Sequence, residues 1–305
     1  MKKLIGVVTE DPATDPPIGT TIEFKPAPFP IGSPHGEYTI DNWEHFGGVL
    51  LSLVINVNGE TYVHGSGVLV APGVALAARH VVEPFFDVMQ NESATLTCTS
   101  ITENQLMLWK CHNIHIISKE LDIVVLILNY CSDFPPGNIF RMAAITTRMP
   151  DLGEHVTMVG FTVNEITSSL QNPGFSVSGH VRTSTGIITA CYPNGRDRVM
   201  MPGPALEINT SASGGMSGGP VFDQYGHLVG LVSTSWSADD HIGPTTISLL
   251  WPILVSPINA VWPNGVHVPG RPLSEFGPLC WIDRSDAIER ISEHEIAYTP
   301  WSNSE

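Results

Sequence analysis

Two apolar runs joined by an Asn-Gly pair limit the folds open to this chain more than any other feature. Residues 48–57 read GVLLSLVINV, residues 61–70 read TYVHGSGVLV, and Asn58-Gly59 lies between them. Asn and Gly accept the positive φ angles of a tight two-residue turn, so the pattern predicts an antiparallel hairpin. Strand-like runs continue at ATLTCTSI (94–101), MLWKCHNIHII (107–117) and DIVVLILNY (122–130). After a turn-rich stretch around 131–154 they resume at HVTMVGF (155–161), HVRTSTGIITACY (180–192) and RVMMPGPALEI (198–208). PVFD (220–223), HLVGLVST (227–234) and TTISLLW (245–251) complete the series. The many glycines (28) and prolines (25) punctuate these runs, and helix-forming segments are scarce. Two sets of about six short strands predict an all-β chain of two antiparallel barrels or sandwiches.

The segments outside these sets lack the alternation. Residues 1–43 are rich in proline and acids (EDPATDPPIGTT, KPAPFPIGSPHG) and read as an irregular N-terminal extension. Residues 257–305 read as an irregular C-terminal extension, in which DRSDAIERISEHE (283–295) is expected to form one short helix capped by Asp283 or Ser285.

Charge and composition exclude several function classes. Hydrophobic residues make up 42% and charged residues 14%, which fits a folded rather than a disordered chain. A net charge of −16 repels phosphate backbones, so no nucleic-acid partner is expected. MKKLIGVV begins like an export signal, but its apolar run, Leu4 to Val8, meets Glu10 and Asp11. That is shorter than the roughly 7–15 apolar residues such a signal needs. No run approaches the roughly 18 residues of a membrane span, so a cytoplasmic location and no membrane partner are expected. Cys98, Cys111, Cys131, Cys191 and Cys280 are odd in number and unpaired in spacing, which points to reduced thiols. Cys111, His112 and His115 crowd together in CHNIH, but in a strand only Cys111 and His115 share a face. Structural zinc uses four ligands, so no metal and no cofactor is expected.

The stretch SASGGMSGGPVFD (211–223) carries the chemistry. Ser217 is flanked by Gly214, Gly215, Gly218 and Gly219, which allow the backbone to turn tightly and its N–H groups to converge. A serine is a poor nucleophile until a base takes its proton and a third group orients that base. Of twelve histidines, His80 stands apart, because GSGVLVAPGVALAARH places it where a strand leaves the first set. Asp122 opens the apolar run DIVVLILNY, where a half-buried carboxylate must find a donor. An imidazole N–H aimed at Asp122 meets that need and leaves the other ring nitrogen free to accept a proton.

The order His80, Asp122, Ser217 and the fragment GMSGGPVFD resemble the chymotrypsin-like (trypsin-fold) serine peptidase family over residues 46–256. The resemblance implies two antiparallel six-stranded β-barrels, 44–150 with His80 and Asp122 and 151–256 with Ser217, cleaving a protein or peptide substrate through an acyl-enzyme. It implies an oxyanion hole from the N–H groups of Gly215 and Ser217. Ser211, six residues before the nucleophile, would lie at the base of the specificity pocket, and Ser233, Thr234 and Ser235 would pair with the substrate backbone. A neutral Ser211 disfavours Lys or Arg at the cleaved position and favours a hydrophobic or medium-sized residue; glutamate stays open through His241. Val81 and Ser213 stand where animal members carry disulfides beside the histidine and the serine, a pattern closer to bacterial or intracellular members. Met216 stands where zymogen members place an aspartate. Arg79 is expected to pair with an acid. The terminal extensions and a regulatory protein partner are candidate switches. The alternative is the same fold used as a catalytically silent binding module.

Overall fold

The computed structural model describes residues 19–27, 29, 36–40, 47–91, 93–102, 105–168, 175–238 and 241–301. The strands in chain order are β1 (Glu23–Ala27), β2 (Gly36–Ile40), β3 (Leu50–Val57), β4 (Glu60–Ala71), β5 (Val74–Ala77), β6 (Ala94–Thr102), β7 (Gln105–His115) and β8 (Val124–Tyr130). They continue with β9 (Ile139–Ala143), β10 (Ile145–Thr146), β11 (His155–Ser168), β12 (Phe175–Tyr192), β13 (Ala205–Ile208), β14 (Pro220–Phe222), β15 (Leu228–Ala238) and β16 (His241–Leu249). Five short strands follow: β17 (Pro257–Ile258), β18 (Arg271–Pro272), β19 (Ile282–Asp283), β20 (Ile288–Arg290) and β21 (Ile296–Tyr298).

The first six-stranded barrel closes in the order β3-β4-β5-β8-β7-β6. The expected hairpin is β3–β4, and its turn residues take the anticipated angles, φ 51° at Asn58 and 87° at Gly59. In the second, β14-β11-β12-β13-β16-β15 run side by side and β14 pairs back onto β15, closing a six-stranded ring. Strand β10 adds to the outside of β15.

Some strands lie between the barrels and are buried on both faces. Val124, Leu126 and Leu128 of β8 point into the first barrel with Leu53, Leu69 and Trp109. Val125 and Ile127 join Val68, Val70 and Leu76 in the core shared with Val156, Val181, Leu231 and Ile247 of the second barrel. This double burial is why β8 reads as an unbroken apolar run and not as an alternation.

Both extensions contribute strands. β1 pairs in parallel with β9, and β2 pairs with Val181–Thr185 of β12. The stretch β13 occupies only Ala205–Ile208 of the expected 198–208 run. The helix expected over 283–295 is absent: Ser285–Ala287 form a single 3₁₀ turn, and β20 and β21 make a hairpin. Arg284 there has φ 50°, outside helical space, and Ile288 is buried. Strand pairing satisfies the backbone here while Ile288 reaches the core.

The C-terminal segment is fastened to the first barrel by an aromatic cluster. Trp262 is 1% exposed and lies edge-on to Trp109, with centroids 5.2 Å apart, and 5.1 Å from Phe140. Removing so large a buried side chain typically costs about 3–5 kcal/mol. Trp262→Ala is therefore expected to lower the urea unfolding midpoint by a corresponding amount and to expose residues 257–301 to limited proteolysis. A midpoint within experimental error of the parent would show that the cluster does not anchor this segment.

Candidate active site

Strand β5 ends at Ala77, and a helical turn, α1 (Arg79–Val82), carries His80 out from it. Asp122 lies two residues before β8 and faces the same turn. The Asp122 carboxylate accepts the His80 backbone N–H at 3.0 Å, while His80 Nδ1 lies 3.0 Å from Oδ1 and 2.8 Å from Oδ2. With the Nδ1 proton directed at the carboxylate, Nε2 is the free, basic nitrogen. The imidazole side chain is 44% exposed and the carboxylate 16%. Burial pushes the Asp122 carboxyl up, but hydrogen bonds and charge from His80, with the Ser233 hydroxyl, outweigh it and hold the group below the ordinary aspartate value. Arg79 pairs with Glu83, as an acid partner was expected to do, and its guanidinium also donates to Lys119 O.

The Ser217 loop makes two consecutive tight turns. Met216 N–H donates to Ser213 O at 3.1 Å, and Gly219 N–H to Met216 O at 2.9 Å. The third residue of each turn is a glycine with positive φ, 90° at Gly215 and 79° at Gly218, as a type II turn requires. A Cβ at Gly215 would lie 2.4 Å from Phe161 O, and one at Gly218 would lie 2.3 Å from Ser66 O. Gly214, by contrast, faces open space. Among the described residues, the N–H groups of Gly215 and Ser217 donate to no protein acceptor, whereas those of Met216, Gly218 and Gly219 all do.

The loop is docked onto the first barrel. Ser66 N–H donates to Ser217 O at 2.9 Å, and Gly218 abuts Ala77 and Ala78, just before His80. The fully buried Ser66 hydroxyl donates to Gly215 O and accepts from Phe161 N–H, both at 2.8 Å. His80, Asp122 and the Ser217 loop thus gather at one seam between the barrels. Among the described residues, no hydrogen bond joins the Ser217 hydroxyl to His80. Such contacts are often long without substrate and tighten when it binds.

The other expected site residues lie around this loop. Ser211 is half-buried and its carbonyl accepts from the Ser184 hydroxyl at 2.9 Å. Ser235 Oγ accepts Ala212 N–H at 3.1 Å, which ties β15 to the segment behind the loop. Thr234 follows a bulge in β15, and its hydroxyl is buried without a partner. The Ser233 hydroxyl donates to Asp122 Oδ2, a side-chain contact that the sequence reading missed in assigning Ser233 to backbone pairing. Met201 Sδ lies 3.4 Å from that hydroxyl oxygen and covers it. The side chain of His241 lies outside the described residues. Ser66 and Met201 carried no signal beyond their types; only the closing of the barrels brings them here.

Among the described residues, no group of three or more His, Cys, Asp or Glu is placed to hold a metal ion. A register shift in β7 between Cys111 and Asn113 breaks the strand alternation that put Cys111 and His115 on one face. None of the five cysteines is paired. No described helix is long and apolar enough to cross a membrane.

A family model described as a trypsin-like peptidase domain matches residues 65–231. No curated protein matches the chain. Among solved structures, the chain is similar to the MamO protease domain from Magnetospirillum magneticum at 12% identity, with 67% of this chain and 93% of that chain covered and a TM-score of 0.43. It is similar to an inactive form of the Rv3671c protease at 14% identity, with 67% of this chain and 84% of that chain covered and a TM-score of 0.39. An inactive mutant of Rv3671c from M. tuberculosis H37Rv has the same identity and TM-score, over 65% of this chain and 80% of that chain. The family match alone spans more than half of the sequence, and this chain belongs to the trypsin-like peptidase domain family.

Proposed function

We propose that this chain is a serine endopeptidase. Ser217 attacks the carbonyl carbon of a peptide bond while His80 Nε2 takes its proton. His80 then returns the proton to the leaving amine, and water resolves the acyl-enzyme by the same route in reverse. Asp122 orients the ring and stabilises its charged form. The N–H groups of Gly215 and Ser217 receive the oxyanion. The observation that carries this reading is the clasp of His80 by Asp122, through the ring and the backbone N–H together, beside a glycine loop with two free N–H groups. The substrate is a protein or peptide segment laid along Ser233–Ser235, with a hydrophobic or medium-sized side chain over Ser211.

The regulated part of the reading rests on the C-terminal extension. A groove of about 1310 Å³ is lined by Glu120 and Leu121, just before Asp122, by Trp251 of the second barrel and by Arg290, Ile296 and Tyr298 of that extension. A partner seated there would bear on the backbone that delivers Asp122.

The second reading is the silent binding module, to which the absence of a Ser217–His80 hydrogen bond among the described residues corresponds, and one experiment separates the two. A fluorophosphonate probe is expected to label the wild-type protein, forming an Oγ–P bond and releasing fluoride, and not Ser217→Ala. Labelling of Ser217→Ala at the wild-type rate would remove Ser217 as nucleophile; no labelling of either protein, with or without added partners, would favour the silent module. Asp122→Asn is expected to lower kcat by about 10⁴-fold, because the ring loses the partner that sets its tautomer.

A pH dependence of stability follows from Asp122. A carboxyl held below its unfolded value stabilises the fold above that value, and the contribution is lost as pH falls through the folded value. Ser233→Ala removes one of the donors that lowers it, so acid unfolding is expected to begin at higher pH than in the parent. The window lies below the ordinary aspartate value of about 3.9. Circular dichroism during acid titration checks this, and coincident curves would contradict it.

A further inference from the structure

The residue before Ser217 takes no part in the proposed proton transfers, yet its side chain is fully enclosed. Met216 is 0% exposed. It rests on Gly160 of β11, where an added Cβ would come within 2.6 Å of Met216 Cα and 2.9 Å of its Cβ and Cγ. Only a glycine beneath it lets the methionine seat. Met216 N–H donates to Ser213 O at 3.1 Å, and Ser213 N–H returns to Met216 Sδ at 3.3 Å. These two contacts close a ring around Gly214 and Gly215. On its other side, Met216 O accepts Gly219 N–H and so closes the second turn. One residue therefore belongs to both turns, and the two N–H groups without acceptors among the described residues, those of Gly215 and Ser217, flank it on either side.

We propose that Met216 is a positioning residue. Seated on Gly160 and tied to Ser213, it holds the loop in the form that presents the Gly215 and Ser217 N–H groups. A flexible thioether fills the irregular seat, and its sulfur is a weak acceptor for the Ser213 N–H. The loop is held by apolar burial and neutral hydrogen bonds, so its formation requires neither an ion pair at position 216 nor a newly cut chain end. This inference rests on Ser217 as nucleophile and adds how its oxyanion site is kept in place.

The test compares wild type with Met216→Leu, Met216→Ala and Gly160→Ala. Hydrolysis of a peptide substrate gives kcat and KM, and hydrogen–deuterium exchange follows the peptide covering 209–219. Loss of one oxyanion donor typically costs about 10²–10³ in rate. Met216→Ala and Gly160→Ala are expected to lower kcat by at least about tenfold with KM changed by no more than about twofold. Both should speed exchange in the loop. Met216→Leu keeps the apolar plug and loses only the N–H···S contact, so it is expected to stay within about fivefold of wild type. Equal losses in Met216→Leu and Met216→Ala, or a rise in KM alone, would contradict the positioning role. Unchanged loop exchange in Met216→Ala and Gly160→Ala overturns the inference whatever the activity. Absence of Ser217-dependent turnover in wild type overturns the functional reading alone, and the exchange measurement still decides the role of Met216.

Discussion

A buried hydroxyl joins the two barrels at the point where the site is built. Ser66 sits in β4 with no exposure to water, donates to Gly215 O in the second barrel's loop and accepts Phe161 N–H from β11. Its backbone N–H holds Ser217 O. A hydroxyl in such a place must be satisfied or it costs stability, so its two partners are held at hydrogen-bond distance by the fold itself. Because all three contacts end on the loop or the strand beneath it, the nucleophile candidate is set by the first barrel as much as by its own. Asp122 and His80 come from that same barrel, so one seam fixes all the proposed reacting groups.

The seam depends in turn on strands with two buried faces. In β8 alternate residues fill the first barrel and the shared core, and a charge on either face would be desolvated without a partner. Several polar side chains at the seam are met by partners there, although the Thr234 hydroxyl is not. Asp122 has His80 and Ser233; Ser184 has Ser211 and Thr210. Arg148, a further buried charge between β10 and β11, is met by Glu154 and Asp223. The glycines at 215 and 218 serve the same economy of space, since each brings backbone to within a distance that no Cβ could share.

The extensions show how a segment without a sequence pattern can still be ordered. β1 and β2 are five residues each and pair with strands already in place, β1 in parallel with β9 and β2 on the edge of β12 left open beyond β13. An edge supplies half of the hydrogen bonds, so the added strand needs little propensity of its own. β20 and β21 instead pair only with each other; acids and a capping serine there read locally as a helix, but the hairpin buries Ile288. Local preference amounts to tenths of a kcal/mol per residue, whereas burying one large apolar side chain is worth about 1.5–3 kcal/mol.

By itself the sequence determined most strands of the two barrels, the Asn58-Gly59 hairpin and the barrel class, and it singled out the three candidate residues His80, Asp122 and Ser217. Each of these is written in local terms: alternation, turn chemistry, glycine around a serine, a polar residue heading an apolar run. Tertiary structure decided what crosses between segments distant in the chain. It brought the Ser233 hydroxyl to Asp122, the Ser66 hydroxyl to the loop, Met201 over Ser233, and Gly160 under Met216. A serine, a methionine or a glycine has no local signature for such a role, because the role exists only once two closed barrels bring their surfaces into contact.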